Sequence, residues 1–190
     1  MKMSTRTITI SGLLAAISSV IMFLELNLPF TPGFLKLDFS DVPALLGALA
    51  ISPVVGVLVV LVKNLVHLSV TQTGGVGELA NFLIGSSFVL SVSLIYSVRK
   101  TAGSYIWGAL AGIIVMTVCA CLFNYYLLLP IYTKFMPMEA IIQMGSKVNA
   151  AIDSKLSLVL YGIAPFNVVK SLVNALLAGL LVKYLPKKLF

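Results

Sequence analysis

Residues Tyr161–Leu185 read YGIAPFNVVKSLVNALLAGLLVKYL, a stretch of 25 residues with only two charged side chains, Lys170 and Lys183. A helix needs about 20 mostly apolar residues to cross a bilayer, with a range of roughly 17–25, so this run is long enough. Within it Asn167, Lys170, Ser171 and Asn174 recur at spacings of three and four and therefore share one helical face. An ionisable group inside a span costs about 2.5–3.5 kcal/mol on insertion scales and normally faces a cavity or a partner. The stretch reads as a membrane helix with its polar side turned inward.

The rest of the chain agrees. Of 190 residues, 59% are hydrophobic and 10% charged, with a mean hydropathy of +1.08, against about 45–50% apolar and about 25% charged in soluble domains. That leaves too little charge to clothe a water-facing surface, which excludes a soluble enzyme and a disordered chain. The fold class is an all-α integral membrane protein. A net charge of +7 and a pI of about 9.5 do not point to nucleic acid, because the basic residues flank apolar runs as cytoplasmic loops do. Cys119 and Cys121 would point about 200° apart on a helix, so neither a disulfide nor a shared metal is expected. One histidine cannot build a histidine-based metal site. There is no G-x-x-x-x-G-K-[ST] phosphate loop for ATP, and no nucleophile–base pair. Neither a cofactor nor an enzymatic role is expected.

Six helices are expected in one membrane domain, 1–190, at residues 7–28, 42–51, 53–70, 78–98, 105–131 and 161–185. The first ends at the breaker Pro29-Phe30-Thr31-Pro32-Gly33, and Ser52-Pro53 divides the next apolar run. A single kinked helix over that run is the alternative, and two helices are preferred. The glycine-rich turn Thr73–Gly77 precedes the fourth helix, and 132–160 reads as a long loop with some interfacial helix. Six crossings put both termini on one side. With both inside, Lys2, Arg6, Arg99, Lys100, Lys183, Lys187 and Lys188 are cytoplasmic, against Lys36, Lys134, Lys147 and Lys155 outside. The bias of seven to four favours this orientation.

In that frame Asn167 lies six residues from the outer end of its helix and Asn124 seven from Ile131, depths of about 9 and 10 Å at 1.5 Å per residue. Lys170 is one turn further in. Glu78 and Asn81 open the fourth helix on the same outer side, and Lys63, Asn64 and His67 give the third a polar face. Such groups can simply bridge helices. The convergence of Asn124, Asn167 and Lys170 instead suits a flat heterocycle with carbonyls and ring N–H groups, or a polyol. Phe123, Tyr125, Tyr126 and Phe166 are the neighbours expected to wall the pocket. The inner half carries few polar groups, which describes a cup open outward rather than a pore. Segments 30–41 and 71–77 are the candidate lids. At the inner end of the first helix, Gly12/Ala16 and Ala15/Ser19 form small-residue ridges that allow close helix approach.

Three segments carry a family likeness: Leu37-Asp38-Phe39-Ser40-Asp41-Val42-Pro43-Ala44-Leu45-Leu46-Gly47, Leu61-Val62-Lys63-Asn64-Leu65-Val66-His67 and Gly74-Gly75-Val76-Gly77-Glu78-Leu79-Ala80-Asn81-Phe82. Together they resemble the riboflavin-specific S components of energy-coupling factor (ECF) transporters. The resemblance implies a six-helix bundle in the bacterial plasma membrane that captures a vitamin outside. It would then meet a transmembrane coupling protein and two ATPases, which drive release inward. It also implies that Asn124, with the Asn167-x-x-Lys170 pair, contacts the ligand. Glu78, Gly75 and Phe39, from the quoted segments, complete the expected substrate-binding set. Gly12 and Ala16 stand where the family has Ala-x-x-x-Ala for the coupling protein. Flavin mononucleotide or another vitamin, with Lys36 meeting a phosphate, is the alternative ligand. A self-sufficient facilitator or a structural membrane subunit is the alternative class.

Overall fold

The structure is a computed structural model that describes residues 4–184. The chain ends, including Lys2, Leu185, Lys187 and Lys188, lie outside the described residues. Helix α1, Thr5–Met22, is capped by Ser4 Oγ, which accepts from Thr7 N at 3.2 Å. Strands β1, Leu26–Asn27, and β2, Lys36–Leu37, pair antiparallel with Leu26 opposite Leu37. They are followed by α2, Asp41–Ala50, and α3, Pro53–Val70, whose last turn from Leu68 is 3-10. Then come α4, Val76–Arg99, α5, Ala102–Tyr132, α6, Met138–Ser146, and α7, Lys155–Tyr184.

Helices α1, α3, α4, α5 and α7 are long and apolar enough to cross a membrane. Helix α2 has ten residues, about 15 Å, half of a hydrocarbon core of about 30 Å. Eight of its ten residues are buried, Ala44 and Leu45 fully. Ser52 caps α3 and Pro53 opens it, so the break between α2 and α3 is real and makes a hairpin. Close approach rests on glycine. A Cβ on Gly56 of α3 would stand 2.5 Å from Ala48 Cβ and 2.6 Å from Val89 Cγ1 of α4. On α5, Gly108 and Gly112 would collide at 2.8 and 2.6 Å with Val92 of α4, the small-xxx-small device of membrane bundles.

The expected boundaries shift in three places. Helix α1 stops at Met22 rather than at residue 28, because Leu26 and Asn27 join the hairpin, whose tip is the Pro29–Gly33 breaker. Helix α7 starts at Lys155 rather than at residue 161, set by the reciprocal cap of Ser154 and Ser157. Asn167 is therefore twelve residues into its helix, not six. Helix α5 begins at Ala102 rather than at residue 105, capped by Thr101, and runs one residue past 131. Both α5 and α7 continue through a proline, each just after a π turn at Asn124–Leu128 and Val159–Ile163. A helical proline clashes with the carbonyl four residues back. For Pro130 and Pro165 those carbonyls, on Tyr126 and Tyr161, lie inside the widened turns. Helix α6, with Ile141 and Gly145 buried, is the helix expected within 132–160.

Candidate functional site

A cavity of about 660 Å³ opens between the first halves of α4 and α7, the second half of α5 and the hairpin. Asn124, Asn167 and Lys170 all line it. Each asparagine donates one amide N–H to the carbonyl four residues back, Asn124 to Ala120 and Asn167 to Ile163, both at 2.8 Å. That bond fixes the side chain and leaves each amide oxygen without a protein partner among the described residues. The π turns sit at these same places, Asn124 opening one and Ile163 closing the other. Such turns often re-aim side chains at functional sites.

Lys170 is not free. Its Nζ donates to Asp38 Oδ2 at 2.7 Å and to Asn81 Oδ1 at 2.9 Å. Asp38 Oδ1 accepts from Ser40 N at 2.9 Å and from Ser40 Oγ, and the Asp38 carbonyl accepts from Asn174 Nδ2 at 3.2 Å. Ser40 Oγ accepts from Lys63 Nζ at 2.6 Å, and Lys63 also pairs with Asp41. Two ammoniums and two carboxylates thus form one buried network with no net charge. Burial by itself raises the Asp38 carboxyl. The Lys170 and then the Lys63 ammonium, with hydrogen bonds from Lys170 and Ser40, outweigh it and hold the group well below the usual carboxylate range.

A second cluster stands at the rim. His67 places Nδ1 2.9 Å from Glu78 Oε1 and Nε2 3.2 Å from Glu25 Oε1. Glu25 pairs in turn with Lys36, whose Nζ also donates to Gln72 at 3.1 Å. Thr71 Oγ1 donates to the other Glu78 oxygen at 2.9 Å. The cluster therefore ties both candidate lids to α3 and α4, and Lys36 is engaged within the protein.

Of the remaining expected residues, Glu78 lines the cavity, while Phe39 and Gly75 do not. Phe39 packs against the core, adjoining Asp38. Gly75 shapes the turn before α4, with φ of 87° and its N–H donating to Thr71 Oγ1 at 3.0 Å. The expected walls are mostly wrong. Phe166 lines the cavity, but Phe123, Tyr125 and Tyr126 do not, and Tyr126 is 73% exposed. With Asn124 facing in, its neighbours one and two positions away turn about 100–200° outward. The apolar surface comes instead from Phe34, Ile84, Met116, Leu128 and Tyr132. On α1 the two small ridges part: Ala15 and Ser19 are buried, while Gly12 and Ala16 are exposed, with nothing within 4 Å of a Cβ built on Gly12.

Sequence reasoning missed Asp38, Glu25 and the role of Asn81. A signal was there for the first. Acids at 38 and 41 stand beside an apolar helix, and two lysines, 63 and 170, lie well inside spans rather than at their ends. Buried charges need partners, so two and two should meet.

A cavity with apolar walls, two aimed amides and a charge-balanced polar floor, set among span-length helices, defines a membrane-embedded small-molecule binding protein. The family described as "ECF transporter, substrate-specific component" matches residues 6–182. The chain is 39% identical over 185 residues to the riboflavin transporter RibU of Staphylococcus aureus (strain TCH60), covering 97% of this chain and 92% of that one. It is 30% identical over 182 residues to the riboflavin transporter FmnP of Bacillus subtilis (strain 168), covering 94% and 91%. A solved S component of a bacterial ECF transporter superposes with a TM-score of 0.76 at 35% identity, covering 94% of each chain. The chain belongs to the ECF transporter S-component family and is a multi-pass membrane protein.

Proposed function

We propose that this single membrane domain is the riboflavin-capture subunit of an ATP-driven vitamin transporter in the bacterial cell membrane. Both termini face the cytoplasm and the cavity opens outward. ATP hydrolysis belongs to separate subunits, reached through a transmembrane coupling protein that docks on the Gly12/Ala16 face of α1. The observation that carries the reading is the convergence of Asn124, Asn167 and Lys170 on one apolar-walled cavity. The names of the relatives, riboflavin transporters, support the ligand. The two amide oxygens would accept from ring N–H or ribityl hydroxyl groups, and the third Lys170 N–H would donate to a carbonyl or hydroxyl. The Asp38 pairing holds that ammonium in place.

Titration of the purified chain with riboflavin, read by flavin fluorescence, tests the reading. Saturable quenching at one flavin per chain is expected, and its absence would sink the assignment. Flavin mononucleotide remains the alternative ligand because Lys147 also lines the cavity and makes no ion pair among the described residues. Competition between the two flavins decides. Vesicles holding this chain alone should bind flavin without accumulating it, whereas a facilitator would equilibrate it.

A further inference from the structure

A second cleft, of about 710 Å³, lies at the opposite end of the bundle, where α4 ends, α5 begins and α7 runs out. Along α4 it is separated from the first cavity by the residues between Ile84 and Tyr96, about 18 Å at 1.5 Å per residue. Its floor is Tyr105, whose hydroxyl donates to the Ala175 carbonyl at 2.6 Å and whose ring packs edge-on to Tyr96. Gly179 makes room for that ring, since a Cβ there would stand 2.8 Å from Tyr105 Cε1. The sides are Ile106, Leu176 and Leu180, each more than half exposed.

Among the described residues the charge at this cleft has no acidic counterpart. Lys100 and Lys183 line it at the helix ends. Segments 79–138 and 154–190 contain no Asp or Glu at all. Among the described residues neither lysine makes an ion pair. Lys100 is also the one described non-glycine residue with positive φ, 49°, at a helix end where glycine or asparagine is usual. Trp107 and Tyr184, 70% and 76% exposed on the same end, are the residues that settle at headgroup level.

We propose that this cleft binds an anionic phospholipid, its phosphate between Lys100 and Lys183 and one acyl chain along Ile106, Leu176 and Leu180. Basic pockets between membrane helices hold acidic headgroups in this way. A free phosphate would meet the charge and leave the apolar sides bare. A zwitterionic lipid would fill the sides and set its own cation against the lysines. The inference does not depend on the ligand of the first cavity.

Native mass spectrometry of the full chain in neutral detergent, titrated with phosphatidylglycerol, phosphatidylcholine or inorganic phosphate, tests it. Phosphatidylglycerol should be retained about ten-fold more strongly than phosphatidylcholine, and excess inorganic phosphate should not displace it. Lys100→Gln with Lys183→Gln should reduce retention to the phosphatidylcholine level, while Arg99→Gln, outside the cleft, should not. Leu180→Trp, which fills the apolar side and leaves the charges in place, should weaken retention as well, so the test survives if the double variant misfolds. Equal retention of the two lipids, displacement by phosphate, or parental retention by the folded double variant or by Leu180→Trp would overturn the proposal.

Discussion

Lys170 Nζ lies 2.7 Å from Oδ2 of Asp38, which is 132 residues earlier in the chain. One ion pair therefore joins the cavity-lining helix α7 to the segment that carries the hairpin into α2. Removing one partner of a buried pair leaves an uncompensated charge, at a cost of about 3–5 kcal/mol. Lys170→Met should fall at the low end, since Lys63 and Ser40 still attend Asp38. It should lower the melting temperature in detergent and abolish tight flavin binding. Adding Asp38→Asn should restore most of the stability but not the binding. Recovery of both would remove Lys170 from the ligand site.

Asn124→Ala and Asn167→Ala should each weaken riboflavin binding by about 1–3 kcal/mol, roughly one to two decades in Kd, with little change in melting temperature. Asn64→Ala is the control. Its amide makes the same bond to the carbonyl four residues back, at 2.7 Å, but it does not line the cavity. Its oxygen is buried without a partner, so its loss should be neutral or stabilising. A fluorescence titration in which all three variants behave alike would refute the assignment of the two cavity amides.

The bundle was legible because membrane helices announce themselves by length and apolarity, and the Asn167–Lys170–Asn174 stripe because it repeats at helical spacing. Partnerships across long sequence distance were not. Nothing local in Leu37-Asp38-Phe39 says that Asp38 meets Lys170, or that Glu25 leaves a shortened α1 to reach His67. The two π turns were hidden for a different reason. The expected helices 105–131 and 161–185 already contain Pro130 and Pro165, but nothing in the residue pattern shows that a widened turn before each makes room for its ring. The depth of Asn167, counted from residue 161, is too shallow for another reason: the charged segment 132–160 reads as loop, whereas its last six residues already belong to α7.

Acid should act through Asp38. Its carboxyl is depressed in the folded chain below the ordinary 3.8, so the folded state releases the proton more readily than the unfolded one. The stabilisation is complete above about pH 4 and is lost as the pH falls below 3.8 towards the folded value. Melting temperature should therefore be insensitive to this group from neutral pH to about 4 and fall below that. The Asp38→Asn, Lys170→Met pair should show a shallower acid limb. Asp153, also held low by Ser157 and Ser154, is fully exposed and should contribute little. An acid limb as steep in the double variant as in the parent would place the sensitivity elsewhere.

Two glycines should answer oppositely to the same change. Gly56→Ala drives a methyl to within 2.6 Å of both Ala48 and Val89, where three helices meet, and overpacking of that kind costs about 1–3 kcal/mol. Gly12→Ala adds a methyl in open space on α1 and removes a flexible residue from a helix, so it should be neutral or slightly stabilising. Thermal melts of the two variants, read beside the parent, separate an internal seam from an outward face. Equal destabilisation would mean that Gly12 packs within the bundle.

That outward face yields the last expectation. Gly12 and Ala16 are exposed on a helix whose buried side is carried by Ala15, Ser18, Ser19 and Met22, so bulk added at positions 12 and 16 should leave the bundle intact. Gly12→Leu with Ala16→Leu should retain the parental melting temperature and riboflavin affinity in the isolated chain. A helix that must come close to the small ridge is instead held off by several ångströms of side chain, and small-xxx-small contacts do not tolerate that. Co-purification with the coupling protein and its ATPases should fall sharply, and ATP-driven uptake in reconstituted vesicles with it. If the doubly substituted chain assembled and transported like the parent, the coupling protein would have to dock on another face of the bundle.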